Sequence, residues 1–233
     1  MQTNIPRRYI RSTGVLTPDE IGLLRTKSVF VAGCGGLGGH IIQNLARMGI
    51  GQMTIADSDC FDETNLNRQI FCTEHNLGMS KVSETEAAVN SINPETVINT
   101  LPVRITSHNA AKMISGHDIV MDATDNIETR LILEDACTRC HIPLVHGAVC
   151  DWYGQAAVSM PGSGLLHTLY GNAFDTCTSN SVKETNVSFT PAVIAGIQSS
   201  EAVKLATGKN TPLADRVLFA DLLNCTFEIM DIF

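Results

Sequence analysis

Basic side chains are scarce in this sequence of 233 residues. There are 16 Lys and Arg against 24 Asp and Glu, which gives a formal net charge of −8. No Lys/Arg-rich block is present, and proteins that bind nucleic acid use such blocks to neutralise phosphates. We therefore expect no nucleic-acid partner. If the chain binds a smaller polyanion, a few individually placed cations must contact that ligand.

Long uninterrupted apolar runs are also missing. A helix that crosses a bilayer needs roughly 20 apolar residues, and the first eight residues lack the apolar core of a secretory signal. These absences predict no membrane association and a cytoplasmic location. In that compartment the eight cysteines are expected to be reduced, buried or reactive rather than paired in disulfides.

Apolar segments typical of strands alternate with segments of helical periodicity along most of the chain. Residues 28–33 form a continuous β-branched run, as in a strand buried on both faces, and 37–48 repeat at helical spacing before the next strand at 52–57. Residues 161–188 are polar and predict a loop, and 217–231 predict an antiparallel hairpin. The predicted fold class is α/β: a Rossmann-like, doubly wound, mostly parallel sheet with a C-terminal antiparallel extension.

A glycine-rich turn joins the first predicted strand to its helix. Residues 33–38 read Gly-Cys-Gly-Gly-Leu-Gly, and such a turn lets a phosphate approach the backbone and the free N–H groups of the helix. Asp57 ends the next strand, where an acid accepts ribose hydroxyls. No lysine follows Gly38 or Gly39, which argues against a P-loop kinase or GTPase. The turn suits NAD and ATP equally, and tight packing alone is a third possibility.

Three charged residues after the glycine turn favour a nucleoside triphosphate. Arg68 and Lys81 are the cations of an otherwise acidic segment. Both suit a triphosphate, because the planar guanidinium of arginine can donate two hydrogen bonds to one phosphate and the ammonium of lysine acts as a point charge. Asp125 ends a third strand, where a carboxylate can hold Mg²⁺ that bridges phosphate oxygens. The plainer alternatives are a solvated surface position for each cation and a helix N-cap for Asp125. Their joint position at three strand ends favours the magnesium nucleotide.

These residues lie within motifs that resemble the MoeB/ThiF/HesA family, the bacterial relatives of ubiquitin-activating enzymes. The resemblance runs from about Tyr9 to the closing hairpin and rests on GCGGLGG at 33–39, DSD at 57–59, TNLNRQ at 64–69, GMSK at 78–81, INP at 92–94, DATDN at 122–126, IPLVHGA at 142–148 and YGQ at 153–155. It implies an ATP-dependent adenylyltransferase. The substrate would be the C-terminal Gly-Gly carboxylate of a ubiquitin-like (β-grasp) sulfur-carrier protein, activated as an acyl-adenylate for thiamine- or molybdopterin-type cofactor biosynthesis.

The resemblance and the glycine turn together assign individual roles. The nucleotide-binding set is Gly33, Gly35, Gly36, Asp57, Thr64, Asn65, Leu66, Asn67, Arg68, Lys81, Asp125 and Asn126. Arg68 and Lys81 would act on the phosphates, and Asp125 would hold the Mg²⁺. The resemblance further implies that Arg11 reaches the ATP of a second copy, which makes the working unit a homodimer.

Cysteine chemistry is the point at which the sequence departs from many members of this family. Many relatives hold a structural zinc on two C-x-x-C pairs, whereas this chain has one such pair, Cys137 and Cys140. One pair is half a site, so we expect no structural zinc. Cys177 lies where some relatives carry a thiol that links to the activated carrier, and a plain loop cysteine is the alternative. Cys34 and Cys150 are expected to pack in the interior, and His146 to satisfy local hydrogen bonds.

We predict a single adenylation domain over residues 1–233. It would comprise an N-terminal arm and helix (1–27), a nucleotide-binding half (28–150) and a carrier-binding half (151–233) with a crossover loop at about 161–189. Two other functions stay open. One is a family relative that adenylates another substrate, as in the tRNA-modifying or peptide-activating branches. The other is an NAD-dependent oxidoreductase or a non-catalytic nucleotide-binding module, which has no evident need for the two cations and the third-strand carboxylate.

Overall fold

A computed structural model describes residues 5–174 and 185–233. The strands within these ranges are β1 (Ser28–Ala32), β2 (Gln52–Ala56), β3 (Val97–Leu101), β4 (Ile119–Asp122), β5 (Leu144–Cys150), β6 (Tyr153–Ser159), β7 (Arg216–Asp221) and β8 (Thr226–Asp231). The α-helices within the same ranges are α1 (Pro18–Leu24), α2 (Gly36–Met48), α3 (Lys81–Ile92), α4 (Ala110–Ile114), α5 (Ile127–Cys140), α6 (Leu165–Phe174) and α7 (Phe189–Thr207).

The strands form one sheet in the order β3-β2-β1-β4-β5-β6-β7-β8. The pairs from β3 to β5 are parallel, and those from β5 to β8 are antiparallel. This arrangement confirms the predicted Rossmann-like sheet with its antiparallel extension. Chain order reverses between β1 and β4, and α/β proteins of this type bind ligands beyond the carboxyl ends of the strands at such a switch point.

Helices cover both faces of the sheet and bury its central strands. On one face α1, α2, α3 and α7 pack a core that includes Ile41, Leu45 and Ile194. On the other face α4, α5 and α6 enclose a second core that includes Phe30 and Leu133. Because both faces are covered, β1 is buried beyond its first residue, as its unbroken apolar run predicts.

The polar composition of residues 161–188 predicts a loop, and this prediction is wrong for α6. Residues 165–174 form a helix whose Leu165 and Leu166 are fully buried. The Glu134 carboxylate of α5 accepts hydrogen bonds from the backbone N–H groups of Leu166 and His167 at 2.8 and 2.9 Å. These groups would otherwise lack partners in the first turn. The cap comes from a distant residue, so no local signal predicts it.

The sheet continues across the predicted boundary between the two halves of the chain. β5 pairs with β6 along its whole length, so backbone hydrogen bonds join residues 144–150 to residues 153–159 across that boundary. The single domain over residues 1–233 and its internal division stay predictions. In the described parts of the chain, we find no helix with both the length and the apolar character that crossing a bilayer requires.

Candidate nucleotide site

The carboxyl ends of the parallel strands border a crevice of about 340 Å³. It brings together eight residues of the predicted nucleotide-binding set, namely Gly33, Gly35, Gly36, Asp57, Arg68, Lys81, Asp125 and Asn126. These residues come from five separate segments of the chain, which the parallel strand order places along one edge of the sheet. The crevice therefore lies where this topology predicts a ligand.

The glycine turn forms the floor of the crevice. Gly33 has a φ of +98°, and a Cβ on this residue would lie 2.7 Å from the carbonyl oxygen of Ala123. A side chain is therefore excluded by both conformation and space. The helix α2 follows at once, and no side chain within the described ranges caps its N-terminus. Its first N–H groups are available to an anion, and the helix dipole favours negative charge there.

Asp57 is held rigidly at the end of β2. One carboxylate oxygen accepts a hydrogen bond from the backbone N–H of Cys34 at 2.8 Å, and the other accepts from that of Asp59 at 2.9 Å. Each oxygen has a further lone pair. Asp57 therefore both fixes the start of the glycine turn and remains able to accept hydrogen bonds from the hydroxyls of a ligand.

Two of the cations that line the crevice, Arg68 and Lys81, are held in place by neighbouring residues. Arg68 donates from Nη1 to the carbonyl oxygen of Thr64 and to Oδ1 of Asn67, both at 2.9 Å. Its Nη2 and Nε have no protein partner within residues 5–174 and 185–233 and can donate to an anion. Lys81 begins α3, is 7% exposed, and places Nζ 3.1 Å from a carboxylate oxygen of Asp59. The guanidinium and the ammonium are therefore both positioned before any ligand binds.

The structure does not place residues 64–67 in the lining of the crevice. The buried Asn65 uses its side-chain oxygen to accept a hydrogen bond from the backbone N–H of Asp62, within a tight turn. Leu66 packs against the core, and Asn67 donates to the carbonyl oxygen of Asn186 at 3.0 Å. This segment positions Arg68, and direct contact of Thr64, Asn65, Leu66 or Asn67 with a nucleotide stays a prediction.

Asp125 is not the N-cap of α5, which is the plainer alternative that the sequence leaves open. The N-cap of α5 is Asn126, whose Oδ1 accepts a hydrogen bond from the backbone N–H of Thr129 at 2.9 Å. Asp125 is exposed and lines the crevice, and it accepts a hydrogen bond from Asn126 at 3.2 Å. Magnesium in nucleotide sites is held by one or two carboxylates together with phosphate oxygens and water. A single exposed carboxylate beside an anion site fits that donor set.

A buried chain of hydrogen bonds lies beneath the end of β4. The Asp122 carboxylate accepts from the backbone N–H and hydroxyl of Thr124 at 2.9 and 2.7 Å, and from Nδ1 of His146 at 2.6 Å. Nε2 of His146 accepts from the hydroxyl of Tyr170 at 2.9 Å, and that hydroxyl accepts from Gln155. The chain ties the loop that carries Asp125 to β5, β6 and α6. The local hydrogen bonding predicted for His146 is confirmed.

Burial and hydrogen bonding set the charges in this chain. Burial lowers the pKa of His146 in spite of the adjacent carboxylate, so its imidazole is neutral at neutral pH. Burial acts to raise the pKa of Asp122, but the hydrogen bond from His146 and the nearby Arg130 guanidinium outweigh it and leave that pKa below its usual range. Burial raises the pKa of Tyr170 to about 12, so its hydroxyl retains the proton that it donates.

The crevice lining includes Arg130, Gln69 and Arg104, to which the sequence prediction assigns no role. Arg130 is 9% exposed and donates to the carbonyl oxygen of Thr124 at 3.0 Å, while its Nε makes no hydrogen bond in the described residues and lies 4.0 Å from the Asp122 carboxylate. Gln69 is 6% exposed, and its side-chain oxygen is likewise unpartnered there. Buried polar atoms are nearly always hydrogen-bonded, so these two atoms are exceptions among the described residues. Arg104 lines the end near β3, and its position after a third parallel strand is the signal that could have identified it.

The structure places the remaining predicted residues outside the crevice or does not describe them. Arg11 is exposed on a 3-10 helix (Arg7–Ser12) and is not part of the crevice lining. Cys177 lies outside the described residues. Cys34 is buried as predicted, but the packing role is wrong for Cys150, which is exposed because it ends β5 beyond the covered part of the sheet.

The Cys137–Cys140 pair lies on α5, as predicted. Cys137 is buried in the core, and burial raises the pKa of its thiol. Cys140 donates from Sγ to the carbonyl oxygen of Ala111 at 3.6 Å. Across residues 5–174 and 185–233, we find no group of three or more His, Cys, Asp or Glu side chains that could hold a metal ion.

Comparisons with known proteins agree with the fold and the motifs. A model of the ThiF family matches residues 9–233. The SAMP-activating enzyme E1 of Haloferax volcanii is 34% identical over 212 residues, which cover 91% of this chain and 78% of that protein. The sulfur carrier protein adenylyltransferase of Thermus thermophilus is 32% identical over 224 residues, which cover 91% of this chain and 80% of that protein.

A solved structure shares the fold. The crystal structure of E. coli MccB with AMPCPP and MccA superposes with a TM-score of 0.87 and covers 99% of this chain and 73% of that one. The two sequences are 18% identical, so this likeness supports the fold alone. The chain, whose motifs already resemble those of MoeB, ThiF and HesA, belongs to the ThiF family.

Proposed function

We propose that this chain is an ATP-dependent adenylyltransferase that acts in the cytoplasm on a ubiquitin-like sulfur-carrier protein. The product is the acyl-adenylate of the carrier's C-terminal Gly-Gly carboxylate, formed with release of pyrophosphate. One observation carries the proposal: one crevice is lined by the first turn of α2, which no side chain in the described ranges caps, by Arg68 and Lys81, and by the exposed carboxylate of Asp125. The names of relatives such as the Thermus thermophilus enzyme support the same substrate class.

The crevice suits ATP along its whole length. The first turn of α2 and the glycine turn receive the phosphates, and Asp57 accepts hydrogen bonds from the ribose hydroxyls. Asp125 would hold Mg²⁺, which would neutralise phosphate charge and make the departing pyrophosphate a better leaving group. Arg68 contributes its free guanidinium nitrogens, and Lys81 contributes a point charge that Asp59 keeps in place.

The reaction needs charge neutralisation and alignment more than proton transfer. A carboxylate oxygen of the carrier attacks the α-phosphorus of ATP, the new P–O bond forms, and the bond to pyrophosphate breaks. The attacking carboxylate is already ionised, so no general base is required. Arg68 and Lys81 stabilise the negative charge that moves onto the leaving pyrophosphate, and both are fixed before the substrate binds, which lowers the cost of reorganisation.

A second copy of the chain would complete the site. Arg11 is exposed and lies outside its own crevice, and this position supports a role on the ATP of a partner subunit in a homodimer. Cys177 is proposed as a thiol that can receive the activated carboxyl group of the carrier. The thiolate sulfur of Cys177 would attack the acyl carbon of the acyl-adenylate, so that a C–S bond forms, the bond between the acyl carbon and the AMP oxygen breaks, and AMP leaves. The resulting thioester keeps the carboxyl group of the carrier activated.

Carrier-dependent ATP–pyrophosphate exchange tests the proposed function. We expect rapid exchange with a β-grasp sulfur carrier from the same organism, and none with the same carrier after removal of its last two residues. Exchange that is independent of the carrier, or equally fast with the truncated one, would contradict the proposal.

Asp125→Ala is expected to raise the Mg²⁺ concentration for half-maximal exchange about tenfold. The effect is limited because phosphate oxygens and water keep the rest of the metal coordination. Glu128→Ala is the matched control, since Glu128 is an exposed acid in the first turn of α5 outside the crevice lining. An unchanged Mg²⁺ dependence in Asp125→Ala would remove the assignment of the metal to this residue.

A further inference from the structure

Arg104 is a crevice cation that the proposed mechanism does not use. It lines the crevice between Val103 and Ile105 and is exposed. Its side chain makes no hydrogen bond or ion pair with any residue in the described ranges. Its backbone is nevertheless anchored, because its carbonyl oxygen accepts a hydrogen bond from the side chain of Asn109 at 2.9 Å. A fixed backbone thus presents a guanidinium that has no protein partner there.

The strand order determines which part of a nucleotide lies near Arg104. The glycine turn follows β1, Asp57 follows β2, and Arg104 follows β3, and these three strands are adjacent in the sheet. Neighbouring strands lie about 4.8 Å apart, so β3 is about 10 Å from the phosphate end. If the phosphates lie at the glycine turn and the ribose at Asp57, continuing in the same direction places the base beside residues 103–105.

The side chains around Arg104 suit a base better than a phosphate. Val103 is 43% exposed and offers apolar surface, and the buried Ile105 also lines the crevice. Asp57 lies at the end of the neighbouring strand, toward the phosphate end, and its negative charge disfavours a phosphate on this side. A guanidinium plane stacks on aromatic rings through cation–π and dispersion attraction.

We propose that Arg104 binds the purine base of the nucleotide by stacking its guanidinium on the ring. This inference rests on the proposed nucleotide site and adds a residue that determines the affinity for the base. Arg104 is a binding residue in this role, and it takes no part in the chemistry at the α-phosphorus.

Calorimetric titration of three ligands tests the stacking role: Mg-ATP, AMP and inorganic tripolyphosphate. Arg104→Met should weaken ATP and AMP by a similar factor, about five- to thirtyfold, and leave tripolyphosphate unchanged. Arg104→Lys should behave like Arg104→Met, because lysine keeps the charge but lacks the plane. Arg47→Met is the control, since Arg47 is exposed on the last turn of α2 outside the crevice lining.

Two results would overturn the stacking role. Weaker tripolyphosphate binding that Arg104→Lys restores would make Arg104 a phosphate ligand, and unchanged ATP affinity in Arg104→Met would leave it no role in binding. Failure of the wild-type chain to bind ATP at all would instead overturn the proposed function together with this inference.

Discussion

Lys81→Ala is expected to slow carrier-dependent ATP–pyrophosphate exchange about 30- to 1000-fold. Removal of one preorganised electrostatic donor from an active site costs about 2–4 kcal/mol of transition-state stabilisation. The Lys81 ammonium is such a donor, because it is 7% exposed and is held by Asp59 at 3.1 Å before substrate binds. The loss should appear mainly in the rate at saturating ATP, since the charge on pyrophosphate grows as the bond breaks.

Two further variants separate this catalytic loss from a loss of folding. Lys81→Met keeps most of the buried aliphatic part of the side chain, so it should slow exchange as much as Lys81→Ala with less effect on the free energy of unfolding. Lys112→Ala removes an exposed lysine from α4 and should leave exchange unchanged. Exchange within threefold of wild type in folded Lys81→Met would show that Lys81 does not act on the phosphates.

Asp122→Ala is expected to lower the free energy of unfolding by about 3–5 kcal/mol. When one member of a buried, hydrogen-bonded charged cluster is removed, the remaining members stay buried without the hydrogen bonds or opposite charge that offset their desolvation. The groups that lose their partner here are the hydroxyl of Thr124, Nδ1 of His146 and the guanidinium of Arg130, which lies 4.0 Å from the Asp122 carboxylate. Urea unfolding followed by circular dichroism measures the change.

A second aspartate–histidine pair provides the matched control. Asp135 accepts a hydrogen bond from His167 at 2.9 Å, but the two side chains are 57% and 47% exposed, whereas Asp122 and His146 are fully buried. Exposed pairs contribute about 0–1 kcal/mol, so Asp135→Ala should have a small effect. If Asp122→Ala and Asp135→Ala lowered the free energy of unfolding equally, burial would not explain how much the Asp122–His146 pair contributes to stability.

The same buried pair makes stability depend on pH in a defined direction. The pKa of His146 is lowered by burial, so below roughly pH 6.5 the unfolded chain binds a proton that the folded chain does not. The free energy of unfolding should therefore fall as the pH drops from 7 to 5, and His146→Gln should reduce this slope. Asp122, whose pKa is also lowered, stabilises the fold above roughly pH 3.9, and this contribution is lost as the pH falls further. A slope that His146→Gln leaves unchanged would contradict the neutral, buried imidazole.

Local sequence patterns predicted the fold and the centre of the site because both depend on neighbouring residues. The unbroken apolar run of β1 and the glycines at its end specify a buried strand and an open helix N-terminus within a dozen positions. Parallel pairing then brings Asp57 and Asp125 to the same edge. These features follow from short-range spacing and one topological rule.

The features that sequence reasoning missed depend on contacts between distant segments. α6 is capped by Glu134 from another helix, so its own residues resemble a loop. Asp122 and His146 are buried partners on adjacent strands, and only the pairing of β4 with β5 reveals the contact. Arg104 has no motif around it, and its position after β3 points to the crevice only together with the long-range pairing of β3 with β2.

A crystal structure of the chain with Mg²⁺ and a non-hydrolysable ATP analogue is the most direct test of the nucleotide site. The expected electron density places the triphosphate over the first turn of α2, between Arg68 and Lys81, with the metal against Asp125 and the base beside Arg104. An empty crevice at saturating analogue, or a nicotinamide dinucleotide bound there in preference to it, would contradict the adenylyltransferase assignment.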